Sequence, residues 1–233
     1  MSNVLMVVTA ADALTLADGS SHPTGYWAEE LVVAHRELAA VGHAITIATP
    51  GGRVPTVDPG SLSVEVVGDV DKVEGFRTYL ASIARSLSQP LALDAVDPAD
   101  YEAIVLPGGH GPMADLAFDA DLGAILTSAD AAGTPIAPFC HGPAGLLSAV
   151  DPTGALVFAG RRLTAFTDEE ELTGGLGENT PWLVAGTLRE RGALVEDGPA
   201  WTSHVVRDRN LITGQNPQSS EAVARLLIEV LAG

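Results

Sequence analysis

The chain has 233 residues, enough to bury a large core, and its formal charge of -18 leaves only 12 lysines and arginines spread along it. Each phosphate contact needs a cation, so this balance argues against nucleic acid as a partner. A composition 46% hydrophobic and 18% charged describes a globular chain rather than a disordered one.

The opening MSNVLMVVTAADAL lacks the basic start of a secretory signal, and no later run reaches the roughly 18 to 20 apolar residues that span a bilayer. A cytoplasmic protein without a membrane partner is expected. Within that opening, NVLMVVTA reads as a strand. The loop DALTLADGSSHPTG leads to an amphipathic helix over residues 26–41, and HAITIATP reads as the next strand. After the loop GGRVPTVDPGS come a strand at SLSVEVV, a helix over about 72–88, a strand at YEAIVLPGG and a helix over 119–132. PIAPFC and RLTAFT read as strands on either side of a helix at 142–149. NTPW opens a helix over 180–191, with Asn179 or Thr180 as cap and Pro181 in its first turn. SHVVRDRNLITG reads as a hairpin turning at RDRN, and a last helix runs from about Ser219 to Leu231. Most strand runs are continuously apolar, as strands buried on both faces of a parallel sheet are. The β–α alternation therefore predicts an α/β three-layer sandwich with a doubly wound, mostly parallel sheet, as one domain over 1–233. The two long loops are where function is expected to concentrate.

The one cysteine, Cys140, excludes an internal disulfide framework and any cysteine-rich zinc site. It stands where PIAPF stops and HGPAGLLSAV begins, at the carboxyl end of a strand, which is where ligand crevices open in parallel sheets. A sharp turn there exposes a nucleophile, and a helix start behind it offers free N–H groups, so a lowered thiol pKa is expected. His141 follows directly and is a candidate proton carrier. In the first helix Trp27, Leu31, Ala34, Leu38 and Val41 form one apolar stripe. At about 100° per residue Glu30 falls roughly 60° from its centre, whereas Glu29 falls on the opposite face. Glu30 thus borders the interior, where a carboxylate is costly unless it is paired or protonated.

FCHGPAGLL and IVLPGGHGPMADL, together with GYWAEEL, LTAFTDEEE and NLITGQNPQSS, resemble the ThiJ/PfpI superfamily, whose fold is that of class I glutamine amidotransferases. In order and over nearly the whole chain they are similar to its glyoxalase III, protein deglycase and stress-chaperone branch. The resemblance implies a cysteine nucleophile at Cys140 served by Glu30, His141 and an acid beyond the next strand. Counting seven residues past Thr164 gives Glu171, with Glu170 the alternative one step away. It also implies Gly109 and the Cys140 backbone as oxyanion donors, with Gly108 able to exchange with Gly109, and His110 as a crevice residue; Trp27 and Trp182 read as core or pocket wall. The activity implied is that of a cofactor-free glyoxalase, or D-lactate dehydratase, converting methylglyoxal or glyoxal to a hydroxy acid. The same chemistry on glycated side chains would make a deglycase. A holdase chaperone, a cysteine-oxidation sensor and a cysteine peptidase are alternatives, and a homodimer is implied by analogy. Amidotransferase activity is disfavoured, because the only late histidine, His204, stands in SHVV and not in a His-x-Glu pair. No metal is expected, since none of the six histidines sits at ligand spacing on one element, although a site of two histidines and a carboxylate stays open.

Overall fold

A computed structural model describes residues 1–233. Strand β1 (Asn3–Val7) is followed by a small hairpin of β2 (Ala13–Thr15) and β3 (Ser21–Pro23), helix α1 (Ala28–Ala40) and β4 (Ala44–Thr49). Then come α2 (Val64–Val67), α3 (Val70–Ser82), α4 (Ala84–Ser88), β5 (Leu91–Ala92), β6 (Ala103–Leu106), α5 (Gly111–Ala114) and α6 (Ala120–Ala132). Strand β7 (Ile136–Pro138), β8 (Arg162–Leu163), α7 (Asp168–Gly174), α8 (Val184–Glu190) and β9 (Leu194–Val195) lead to the hairpin of β10 (Val205–Asp208) and β11 (Leu211–Gly214), and α9 (Ser220–Ala232) closes the chain.

The central sheet has seven strands in the order β10-β11-β7-β6-β1-β4-β5, parallel except for the β10–β11 hairpin. Leu5, Ile104, Ile136 and Leu211 lie opposite one another across four neighbouring strands. Because side chains alternate along a strand, this row and Val7 and Leu106 face one side, where Leu122, Ile125 and Leu126 of α6 and Val184 and Leu188 of α8 cover them. Val4, Met6, Val105 and Ile212 face the other side, under Leu31, Ala34 and Leu38 of α1 and Val223 and Leu227 of α9. Both faces are dry, which is why the strands read as unbroken apolar runs. This is the expected three-layer α/β sandwich. No helix is long and apolar enough to cross a membrane.

Four local expectations are corrected. SLSVEVV folds as a 3-10 turn and α2, ending at Gly68 in the left-handed region (φ 76°), since no sheet edge is there to receive it; Val64 and Val66 stand exposed. The stretch over 142–149 is a 3-10 helix, Gly142–Ser148, because Gly142, Pro143 and Gly145 are poor α formers. Only Arg162–Leu163 of RLTAFT pairs as a strand, beside β9 in a separate two-stranded sheet. The helix after NTPW begins at Val184, so Asn179, Thr180 and Pro181 precede it rather than cap it. Inside the loop after β1 the structure adds the β2–β3 hairpin.

Candidate active site

The elbow after β7 is held from three sides. The Cys140 N–H donates to the Gly214 carbonyl (2.9 Å), its carbonyl accepts from Phe166 N–H (2.8 Å), and Gly142 N–H closes onto the Phe139 carbonyl (2.8 Å). Cys140 thereby sits at φ 57°, a strained conformation for a residue with a side chain. That strain aims Sγ into a cavity of about 370 Å³ at the carboxyl ends of β6 and β7. Trp27, His110, His141, Phe166 and Trp201 form much of its wall.

Glu30, in the first turn of α1, is fully buried. Its Oε2 accepts the Gly108 N–H at 2.6 Å, and Trp27 N–H donates to the Gly108 carbonyl at 2.9 Å, so α1 and the loop after β6 lock together. Oε1 is buried with no hydrogen-bond partner, and Cys140 is the side chain whose interaction most opposes the effect of burial on this carboxyl. Burial, against the hydrogen bonds from Cys140 and Gly108, pushes the Glu30 carboxyl up to about 8. Glu30 is therefore a protonated acid at neutral pH.

The thiol does not behave as its position in sequence suggests. Burial first, then the charge of Glu30 and the hydrogen bond to it, push Cys140 well above its ordinary value, against the Gly109 and His141 N–H groups that favour thiolate. The expected depression fails because the turn that presents the N–H groups also withdraws sulfur from water and sets it against an acid. At rest the pair keeps its protons.

His141 Nδ1 lies 3.3 Å from Sγ, and Nε2 lies 2.7 Å from Glu171 Oε2. Burial and His110 lower the His141 pKa against the pull of Glu171, so the ring is neutral. Burial raises Glu171, but hydrogen bonds from His110 and His141 outweigh it and hold the carboxyl well below the usual range. An ionised acceptor requires the proton on Nε2, which leaves the Nδ1 lone pair facing the thiol. Cys140, His141 and Glu171 are joined in one continuous hydrogen-bonded chain.

Between the two adjacent acids of α7 the structure distinguishes sharply. Glu170 accepts from Thr167 N–H and Oγ1 in a capping box and from Trp201 N–H (2.7 Å) and Asn216 Nδ2 (2.8 Å); it does not reach His141. Glu171 takes His141, the Leu176 N–H (2.7 Å) and also His110 Nε2 (3.1 Å), a contact absent from the sequence reading. His110, His141 and Glu171 are the residues able to hold a metal, each with one donor atom within 4.8 Å of the other two.

The oxyanion expectation is corrected in part. Gly108 N–H is occupied by Glu30 and Cys140 N–H by Gly214, so neither is free to hold a substrate oxygen. The backbone groups that favour charge on the sulfur are the Gly109 and His141 N–H groups. Gly109 is at φ 88°, and a Cβ there would come within 2.4 Å of the Gly25 carbonyl, so only glycine fits. Of the tryptophans singled out, Trp27 lines the cavity and Trp182 packs on the core, edge-on to Phe118. Trp201 and Phe166, whose rings meet edge-on at 5.7 Å, are wall residues the sequence did not mark.

A parallel sheet carrying a thiol elbow beside a buried acid defines a class, and residues 23–230 match the DJ-1/PfpI family; the chain belongs to it. It is 30% identical to glutamine amidotransferase-like class 1 domain-containing protein 1 of Bos taurus, over 82% of each chain. With protein/nucleic acid deglycase HchA of Pseudomonas aeruginosa it shares 26% identity over 98% of this chain and 80% of that one. Glyoxalase 3 of Candida albicans is 27% identical over 98% of both chains. The crystal structure of glyoxalase III from that yeast matches with a TM-score of 0.82 at 26% identity, over 98% of this chain and 96% of the other.

Proposed function

We propose that this protein is a glutathione-independent glyoxalase that converts methylglyoxal or glyoxal to the corresponding hydroxy acid. The carrying observation is Glu30, a fully buried acid with one oxygen fixed by Gly108 and the other left without a partner, coupled electrostatically to the Cys140 thiol. The catalytic roles assigned to Cys140, His141, Glu30 and Glu171 belong to this proposal. His141 Nδ1 accepts the Cys140 proton as sulfur adds to the aldehyde carbon, and Glu30 donates its proton to the aldehyde oxygen. A hemithioacetal results. Glu30, now a carboxylate, takes the proton from that carbon and returns it to the neighbouring carbonyl carbon through an enediol, with the Gly109 and His141 N–H groups holding the oxygen that gains charge. Water cleaves the thioester; His141 gives its proton back to the sulfur, the new carboxylic acid returns a proton to Glu30, and the remaining proton of water leaves to solvent, so the whole reaction adds one water and releases the hydroxy acid as its anion. Glu171 keeps His141 in the tautomer that accepts from sulfur.

The test is lactate formation from methylglyoxal with no glutathione and with a chelator present. Cys140→Ser should abolish it; a serine variant consuming the aldehyde at the wild-type rate would refute the mechanism. The cavity favours a deglycase reading beside this one, since about 370 Å³ walled by Trp27, Phe166 and Trp201 is far more than a three-carbon dicarbonyl fills. Recovery of free amine from methylglyoxal-treated N-acetyl-lysine, faster than free dicarbonyl is consumed, checks it. A cytoplasmic homodimer completes the proposal, and light scattering of the purified chain checks the pairing.

A further inference from the structure

Glu171 holds two imidazoles where the relay to sulfur needs one. His110 comes from the loop after β6 and His141 from the elbow after β7; their rings lie 4.2 Å apart between centroids, tilted by 46°. Nε2 of His110 is 3.1 Å from Oε1 of Glu171, and Nε2 of His141 is 2.7 Å from Oε2. All three donor atoms lie within 4.8 Å of one another, and both imidazoles also line the cavity. Two imidazole nitrogens and one carboxylate oxygen make a donor set of borderline softness, suited to zinc, cobalt or nickel. Bonds of about 2.0 to 2.1 Å in a tetrahedron place donors about 3.3 Å apart; Glu171 already stands at that range from both imidazoles, and the widest separation in the trio, up to 4.8 Å, closes by about 1.5 Å when the rings turn onto the ion. The Leu176 N–H on Oε1 (2.7 Å) already fixes the carboxylate from behind, as outer partners do at metal centres. Three protein ligands with a side open to the cavity leave a fourth position for water or substrate.

We propose that His110, His141 and Glu171 bind a divalent cation of this class, zinc being the representative, and that its binding switches the thiol relay off. A cation on Nε2 of His141 moves the ring proton to Nδ1, the nitrogen 3.3 Å from Sγ. An N–H then faces the sulfur, and the lone pair that would take the thiol proton is gone. Glu171, neutralised by the cation, no longer sets the tautomer. Only the effect on turnover rests on the glyoxalase reading; the binding does not.

Calorimetric titration of metal-stripped protein with zinc should show one equivalent bound, weakened at least tenfold in His110→Ala and in Glu171→Gln and unchanged in Cys140→Ser. Cobalt should give the intense visible bands of four or five coordination. Unfolding midpoints of each variant, with His110→Gln as a second probe of the same nitrogen, separate lost ligation from lost fold. Undiminished zinc affinity in His110→Ala and His110→Gln, loss of binding in Cys140→Ser, or the weak spectrum of six-coordinate cobalt would overturn the site. Methylglyoxal consumption should fall with the same zinc midpoint and return on chelation; full turnover in the zinc-saturated protein would overturn the switch. A protein with no turnover at all would count against the glyoxalase reading and leave the titration fully informative.

Discussion

Replacing Glu30 with glutamine changes almost nothing but a proton. The amide oxygen can accept the Gly108 N–H in place of Oε2, and the NH2 group occupies the site of the unpartnered Oε1. What disappears is the titration that burial has moved from 4.5 to about 8. A carboxyl raised in this way stabilises the fold fully below pH 4.5 and loses that contribution as pH climbs to about 8, because only the unfolded chain ionises freely in between. At about 1.36 kcal/mol per pH unit the loss is about 3 kcal/mol at pH 7 and about 5 kcal/mol above pH 8. The Glu30→Gln variant carries no such loss. Urea unfolding should therefore find the two proteins within about 1 kcal/mol at pH 5, with the variant ahead by about 3 kcal/mol at pH 7 and about 5 kcal/mol at pH 9. Turnover of methylglyoxal should fall by about 10² to 10⁴, the usual contribution of a positioned acid or base. A variant less stable than wild type at pH 9, or an offset that is the same at pH 5 and pH 9, would refute the account of this site.

Glu171→Gln should leave the fold intact and lower kcat by about 10² to 10⁴ with little change in KM, because an amide cannot accept both imidazole N–H groups and hold the tautomer; steady-state kinetics within twofold of wild type would count against the relay. Its neighbour should behave differently. Glu170→Ala strands the buried Thr167 and Asn216 donors and the Trp201 N–H, and should cost about 3 kcal/mol or more, seen as a thermal midpoint lower by about 10 °C. A shift under about 2 °C would contradict that role.

The parts of this site that were legible in the sequence are those set by short-range periodicity. Glu30 is placed by its angle on one helix, Cys140 and His141 by the end of an apolar run, and the layered fold by strands too uniformly apolar to face water. The rest depends on groups brought together across the chain. Glu170 and Glu171 are neighbours in one acidic run, and only the docking of α7 turns one toward Trp201 and Asn216 and the other toward two histidines. Gly108 and Cys140 look like free donors until Glu30 and Gly214, 78 and 74 positions away in sequence, take up their N–H groups. The valines of SLSVEVV have the intrinsic preference of a strand but no sheet edge to join, so the preference loses. The thiol's acidity follows the same rule: the backbone turn that favours a thiolate is local, while the burial and the facing acid that oppose it are tertiary, and desolvation in a closed interior is the stronger effect.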